Sequence, residues 1–260
     1  MNRPLKHPKC VLITGASSGI GEALALAYAG SVDTLFLTGR NEERLKAVAD
    51  RCRDIGVTVA TSVTDVADRD AMKNLVRRWH DDTPIDLLIA NAGISGRGSG
   101  PDGDDPDRES TRDIFAVNLA GVLNTVEPVI PLMIAEGGGQ IAIMSSLAGF
   151  RGLPSAPAYA ASKAAVRSWG EGLRGQLAEN NIAVNVICPG FVESRITDQN
   201  DFPMPFMLDA PDAAEIIKRG LARNRGRIAF PFAMYFAVWL FSILPVTLTD
   251  WLAAMLPRKS

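Results

Sequence analysis

The chain has 260 residues, 47% of them hydrophobic, with 27 basic and 29 acidic side chains and a formal charge of −2. This is the size and composition of a folded α/β domain, and the near-neutral balance gives no global basic field to hold nucleic acid. Neither His7, in a basic N-terminal tail, nor His80, before a polar turn, has the neighbours for a metal site or a histidine-based triad.

Along the chain, apolar β-type runs alternate with helical patterns. Cys10–Thr14 is expected as a strand, followed by a glycine-rich turn and a helix to about Ala29. Strands are expected at 34–38, 57–63, 85–90, 140–145 and 183–188, with helices at 42–52, 69–79, 111–134 and 159–179 between and after them. Pro128 and Pro131 should kink or end the 111–134 helix. A helix at 212–224 and a strand at 227–230 close the pattern. Such βαβα alternation predicts a single Rossmann-type, doubly wound parallel sheet with helices on both faces over residues 1–230, plus an apolar helical extension at 231–260. The Gly/Pro/Asp-rich stretch 95–107 reads as a solvated loop, and 191–208, with Phe202, Met204, Phe206 and Met207, as either a lid or ordinary packing.

Cys10, Cys52 and Cys188 are odd in number and widely spaced, which fits buried, reduced thiols in a cytoplasmic protein. The polar start is not followed by an apolar run long enough for a signal peptide.

Between the first strand and helix stands Thr14-Gly15-Ala16-Ser17-Ser18-Gly19-Ile20-Gly21. Glycines in such a turn let the backbone approach a pyrophosphate at a helix N-terminus, and Ser17 and Ser18 add hydroxyl donors. After the second strand, Arg40 occupies the place where NAD-specific enzymes usually carry a carboxylate, so NADP(H) is favoured over NAD(H). Asp65 and Val66 are expected near the adenine, and Asn91, Ala92 and Gly93 as a wall of the pocket.

Tyr159 and Lys163 are four residues apart, on one face of a helix. A free phenol has a pKa of about 10, and a neighbouring cation lowers it. A tyrosine poised in this way can give a proton to a carbonyl or take one from an alcohol. Ser146, at the end of a strand facing the crevice, is placed to bond a substrate oxygen, with Ser145 the weaker candidate because it points to the other side of the pleat. Asn118 is polar in an apolar helix and suits a proton relay through water. A satisfied core amide is the other reading.

These residues, in this order and with Pro189-Gly190 after them, resemble the short-chain dehydrogenase/reductase family over residues 9 to 230. The resemblance implies a Rossmann fold binding a nicotinamide dinucleotide through Gly15, Ser17, Ser18, Gly19, Ile20, Gly21, Arg40, Asp65, Val66, Asn91, Ala92, Gly93, Pro189 and Gly190. It further implies that Tyr159 is the acid/base and that Lys163 holds the nicotinamide ribose while lowering the tyrosine pKa. Ser146 would orient the carbonyl, Asn118 would hold a relay water, and Val192 and Ser194 would contact the carboxamide. Where the family more often has threonine, this chain has Ser194.

Residues 228–249 carry no charge. The two apolar pieces, 232–244 and 246–256, would each reach about 15–20 Å as helices, short of a ~30 Å bilayer core. They are expected to be buried against the core or a second subunit of a homo-oligomer, or to sit peripherally on a membrane, with Arg219, Arg223, Arg225, Arg227, Arg258 and Lys259 as cationic flanks. Membrane contact would make an apolar carbonyl or alcohol the natural substrate. The alternative to an enzyme is a dinucleotide-sensing or membrane-tethered scaffold on the same fold.

Overall fold

The computed structural model describes residues 7–95, 111–195, 197, 204–245 and 249. The expected loop at 95–107 therefore lies, apart from Ser95, outside the described residues, as do Phe202, Arg258, Lys259 and all of 246–256 except Thr249.

Seven parallel strands form one sheet: β1 (Cys10–Thr14), β2 (Thr34–Gly39), β3 (Thr58–Val63), β4 (Leu87–Ala90), β5 (Gly139–Met144), β6 (Ile182–Pro189) and β7 (Arg227–Phe230). Their spatial order is β3-β2-β1-β4-β5-β6-β7, so the winding reverses between β1 and β4. A crevice opens at the carboxyl ends of the strands where the order reverses. The central strands are buried on both faces, which is why they read as unbroken apolar runs.

One face of the sheet is covered by α1 (Gly19–Ala29), α2 (Glu42–Ile55) and α8 (Ala210–Ala222), which pack Leu24, Leu45, Val48 and Ile217 onto Leu35 and Leu37. On the other face lie α3 (Arg69–Asp82), α4 (Thr111–Phe115), α5 (Gly121–Val126), α6 (Val129–Ala135) and α7 (Pro157–Gln176). They bring Met72, Trp79, Val126, Met133 and Val166 against Leu12, Phe36 and Leu88. Phe36 and Trp79 stack with ring centres 4.8 Å apart. Asn41 and Asp68 cap α2 and α3 by accepting the amides of Arg44 and Ala71. Cys10, Cys52 and Cys188 are all buried and unpaired.

The continuous helix expected at 111–134 is instead broken twice. At Pro128 the chain stops α5 and starts α6, because proline cannot donate to the preceding turn. Between α4 and α5, Ala116–Ala120 forms one wide π-turn in which the Gly121 amide reaches back to Ala116. Such turns are frequent at functional sites, and this one contains Asn118. By length and composition Thr111–Ala135 could cross a membrane, but half of it is buried inside the domain.

The last described helix is α9 (Phe232–Ile243). None of its residues is buried. Met234 and Tyr235 pack beside Leu147, Phe150 and Ala229, while Phe232 is 76% exposed and Ile243 60%. Its outer face is thus not a further layer of this chain's core. The inner face is held by a compact cluster. Tyr235 meets the Phe150 ring edge-on, both Arg167 and Arg227 lie over that ring, and Arg227 pairs with Glu171.

Candidate active site

The glycine turn is built to let backbones touch. Gly15 has φ +67°, and a Cβ there would lie 2.7 Å from Ala92 Cα. A side chain at Gly21 would run into the Gly15 carbonyl and lie 2.6 Å from Asn91 Nδ2. Gly19, at φ +57°, begins α1, and Ser194 Cβ lies 3.0 Å from where its own Cβ would be. Ser18 occupies the N-cap of α1 without making a side-chain capping bond, so its hydroxyl leaves the first-turn amides uncapped at the crevice.

Asn91 acts here as a staple more than as a wall. Its Nδ2 donates to the carbonyls of Thr14 and Gly15, at 3.0 and 3.1 Å. Its own amide and that of Ala92 both donate to Thr14 Oγ1, at 3.1 and 3.2 Å. Thr14 therefore ties β4 to the turn. Sequence reasoning quoted Thr14 without seeing this role, because a threonine ending a strand has no distinguishing spacing.

At the end of β2, Ser17 Oγ lies 3.0 Å from where a Cβ on Gly39 would be, and Arg40 is exposed. The Asp65 carboxylate accepts the Ala67 amide at 2.9 Å. Val66 turns its side chain inward onto Gly121, and its carbonyl accepts Asn124 Nδ2 at 2.9 Å. Val192 likewise buries its side chain in the core. Ser194 and Thr197 bond one another across a short turn, the Ser194 amide donating to Thr197 Oγ1 at 2.8 Å.

At the other end of the crevice, Ser146 leaves β5 and caps a short 3-10 turn, accepting the Ala148 amide at 3.1 Å. Its hydroxyl donates weakly to Pro189 O at 3.4 Å. Tyr159 lies in the first turn of α7, and the Ser146 hydroxyl is the neighbour that favours its charged form. One turn on, Lys163 Nζ lies 5.7 Å from the Tyr159 ring centre and donates to Met144 O at 3.1 Å. Tyr159, Lys163 and Ser146 thus converge.

The electrostatics differ from the expectation. Burial raises the Tyr159 phenol above its ordinary value, and the Ser146 hydrogen bond opposes this only in part. The anticipated lowering by Lys163 is not seen. Burial also brings Lys163 down to about 8 from 10.5.

Asn118 is wholly buried and its side chain is fully engaged. Oδ1 accepts the Ile94 amide at 2.8 Å, while Nδ2 donates to Ile94 O at 2.8 Å and Ser162 Oγ at 3.1 Å. The satisfied-amide reading describes that side chain. Gly93 sits between this amide and Lys163: a Cβ there would lie 3.2 Å from both Asn118 Oδ1 and Lys163 Nζ. Ser162, three residues after Tyr159 and directly before Lys163, is a partner that sequence reasoning passed over.

A model of the short chain dehydrogenase family matches residues 9–202, which contain every site residue described above. The chain belongs to the short-chain dehydrogenase family. A Myxococcus xanthus protein named only as an uncharacterized oxidoreductase is 36% identical over 93% of this chain and 95% of its own length. The 3-oxoacyl-[acyl-carrier-protein] reductase of Thermotoga maritima is 35% identical, over 74% of this chain and 77% of that protein. Among solved structures, a short-chain dehydrogenase from Sphingobium yanoikuyae in complex with NADPH superposes with a TM-score of 0.78 at 25% identity, covering 96% of this chain and 97% of that one. One from Burkholderia phymatum in complex with NAD reaches 0.80 at 27% identity, covering 90% and 92%.

This short-chain dehydrogenase is accordingly an oxidoreductase dependent on a nicotinamide dinucleotide. The residues present fit that cofactor. The glycine turn is a cradle that added Cβ atoms would fill, and α1 points its amides into it.

Proposed function

We propose that the chain is an NADP(H)-dependent enzyme interconverting an apolar carbonyl compound and its secondary alcohol, with Tyr159 as the acid/base. The observation that carries the reading is the meeting of the Tyr159 phenol with the Ser146 hydroxyl, with Lys163 one helical turn away, at the carboxyl end of β5. Residues of the glycine turn, Asn91–Gly93 and Lys163 would hold the dinucleotide, which supplies or accepts a hydride at its nicotinamide ring.

The protein's own part is proton transfer and orientation. In the reducing direction Ser146 Oγ and the Tyr159 phenol both aim a proton at the carbonyl oxygen. Tyr159 gives its proton up as the oxygen becomes an alcohol, and the Ser146 hydroxyl, which favours the charged form of the phenol, steadies the resulting phenolate. A phenol held protonated by burial suits an acid in reduction. In oxidation the same phenolate takes the alcohol proton back.

The preference for NADP(H) is supported by Arg40, an exposed guanidinium able to meet a 2′-phosphate with two donors. An apolar substrate is supported by Met234 and Leu147, which stand beside Gly190 within 2.7 and 3.4 Å of where its Cβ would be, next to Ser146. The test is a panel of aldehydes, ketones and secondary alcohols offered with each reduced or oxidised cofactor, following nicotinamide absorbance. Turnover of apolar ketones with NADPH in preference to NADH is expected. Absence of any carbonyl or alcohol turnover would end the proposal.

A further inference from the structure

The residue before Ser146 carries a second hydroxyl that the reaction leaves unused. Ser145 is 2% exposed, and its Oγ donates to the main-chain carbonyl of Lys163 at 2.8 Å. Its own amide is fixed to Ile187 O on β6 at 2.7 Å. The strand exit holds Lys163 at two further points. Met144 O accepts the ammonium at 3.1 Å, and Gly149 comes so close that a Cβ there would lie 2.8 Å from the Lys163 carbonyl carbon.

Lys163 is thus held by its head through Met144 and by its main chain through Ser145, two consecutive residues. Its carbonyl lies inside α7, where a second lone pair remains after the helical bond. Tyr159 belongs to the preceding turn of that helix, so whatever fixes the Lys163 main chain also fixes the height of the phenol against Ser146. The two serines follow β5 directly, so one can meet the phenol of α7 while the other grips the main chain of the same helix.

We propose that Ser145 is a positioning residue whose hydroxyl sets the register of α7 against the end of β5, so that Tyr159, Lys163 and Ser146 meet. This rests on the roles given above to Tyr159 and Lys163.

The experiment compares wild type, Ser145→Ala, Ser145→Thr and Tyr159→Phe as full-length chains. Reduction of the fastest ketone of the panel is measured beside NADPH binding by fluorescence and hydrogen exchange of α7 amides in the protein alone. Ser145→Ala is expected to lower kcat by about tenfold or more, the scale of a small misplacement of a reacting group. Its NADPH Kd should stay within about threefold, exchange at 159–167 should quicken, and Ser145→Thr should restore both kcat and protection. If Ser145→Ala does not fold, Ser145→Cys takes its place under the same criteria.

A folded variant with wild-type kcat overturns the proposal, as does loss of thermal stability without loss of kcat. If the wild type reduces nothing, or Tyr159→Phe keeps full activity, the roles of Tyr159 and Lys163 fall instead. The exchange measurement then decides Ser145 alone: unchanged protection of α7 overturns it.

Discussion

The Ser146 hydroxyl, just past the end of β5, favours the charged form of the Tyr159 phenol on α7, although thirteen positions of sequence separate them. Their meeting marks the point at which a substrate oxygen would receive two donors. Tyr159→Phe removes the phenol proton from that point. Turnover should fall by about 10²–10⁴-fold, the usual contribution of a general acid. NADPH binding, measured by fluorescence titration, should stay within a few-fold of wild type. Undiminished turnover would refute the role.

Arg40 offers its charge to solvent at the end of β2. Arg40→Ala should weaken NADPH binding by roughly 10–100-fold, on the scale of a lost charged hydrogen-bonding pair (about 1.5–3 kcal/mol). NADH binding should hardly change, because it has no 2′-phosphate. Parallel titrations with the two cofactors make the comparison, and equal losses for both would show that Arg40 does not discriminate.

At Gly93 a methyl group would fit between Asn118 and Lys163 only if their side-chain ends shifted by a few tenths of an ångström. Gly93→Ala should displace the lysine head and lower kcat by more than tenfold, the scale of a misplaced catalytic group, with the fold retained by circular dichroism. Gly15→Ala is the harsher change. Besides a positive φ, which costs an L-residue about 1–2 kcal/mol, its Cβ would lie 2.7 Å from Ala92 Cα. Loss of dinucleotide binding together with a lowered Tm is expected.

Lys163 titrates near 8 in the folded protein against 10.5 ordinarily. Between those values the unfolded chain holds a proton that the folded one has lost, so this residue's contribution to stability rises with pH across that window and is level below it. The slope cannot exceed about 1.4 kcal/mol per pH unit. Other groups, including the buried Cys188 thiol pushed up to about 12, titrate in the opposite sense at alkaline pH. The contribution is therefore read as a difference. Relative to Lys163→Met, the wild type should gain stability in urea unfolding as pH rises from about 8 to 10. A flat difference would show that the ammonium is not desolvated.

The parallel sheet was legible in the chain because strands covered on both faces must be apolar throughout, and because helices between them carry a 3.6-residue period. The chemistry was legible for a similar reason: a phenol and an ammonium four residues apart share a helix face wherever that helix packs, and glycines before a helix announce a close backbone approach. What no spacing revealed were bonds between segments distant in sequence. Thr14 gripping β4, Asn118 gripping Ile94 and Ser145 gripping Lys163 depend on which strands lie side by side and in what register. The sign of the Tyr159 shift likewise depended on tertiary structure, since burial outweighed the opposing influence of the Ser146 hydroxyl once the neighbouring chain segments had closed around the phenol. So did the exposure of α9, where an apolar composition dictates only that the helix prefers cover, while the packing of Met234 and Tyr235 decides which side receives it from this chain.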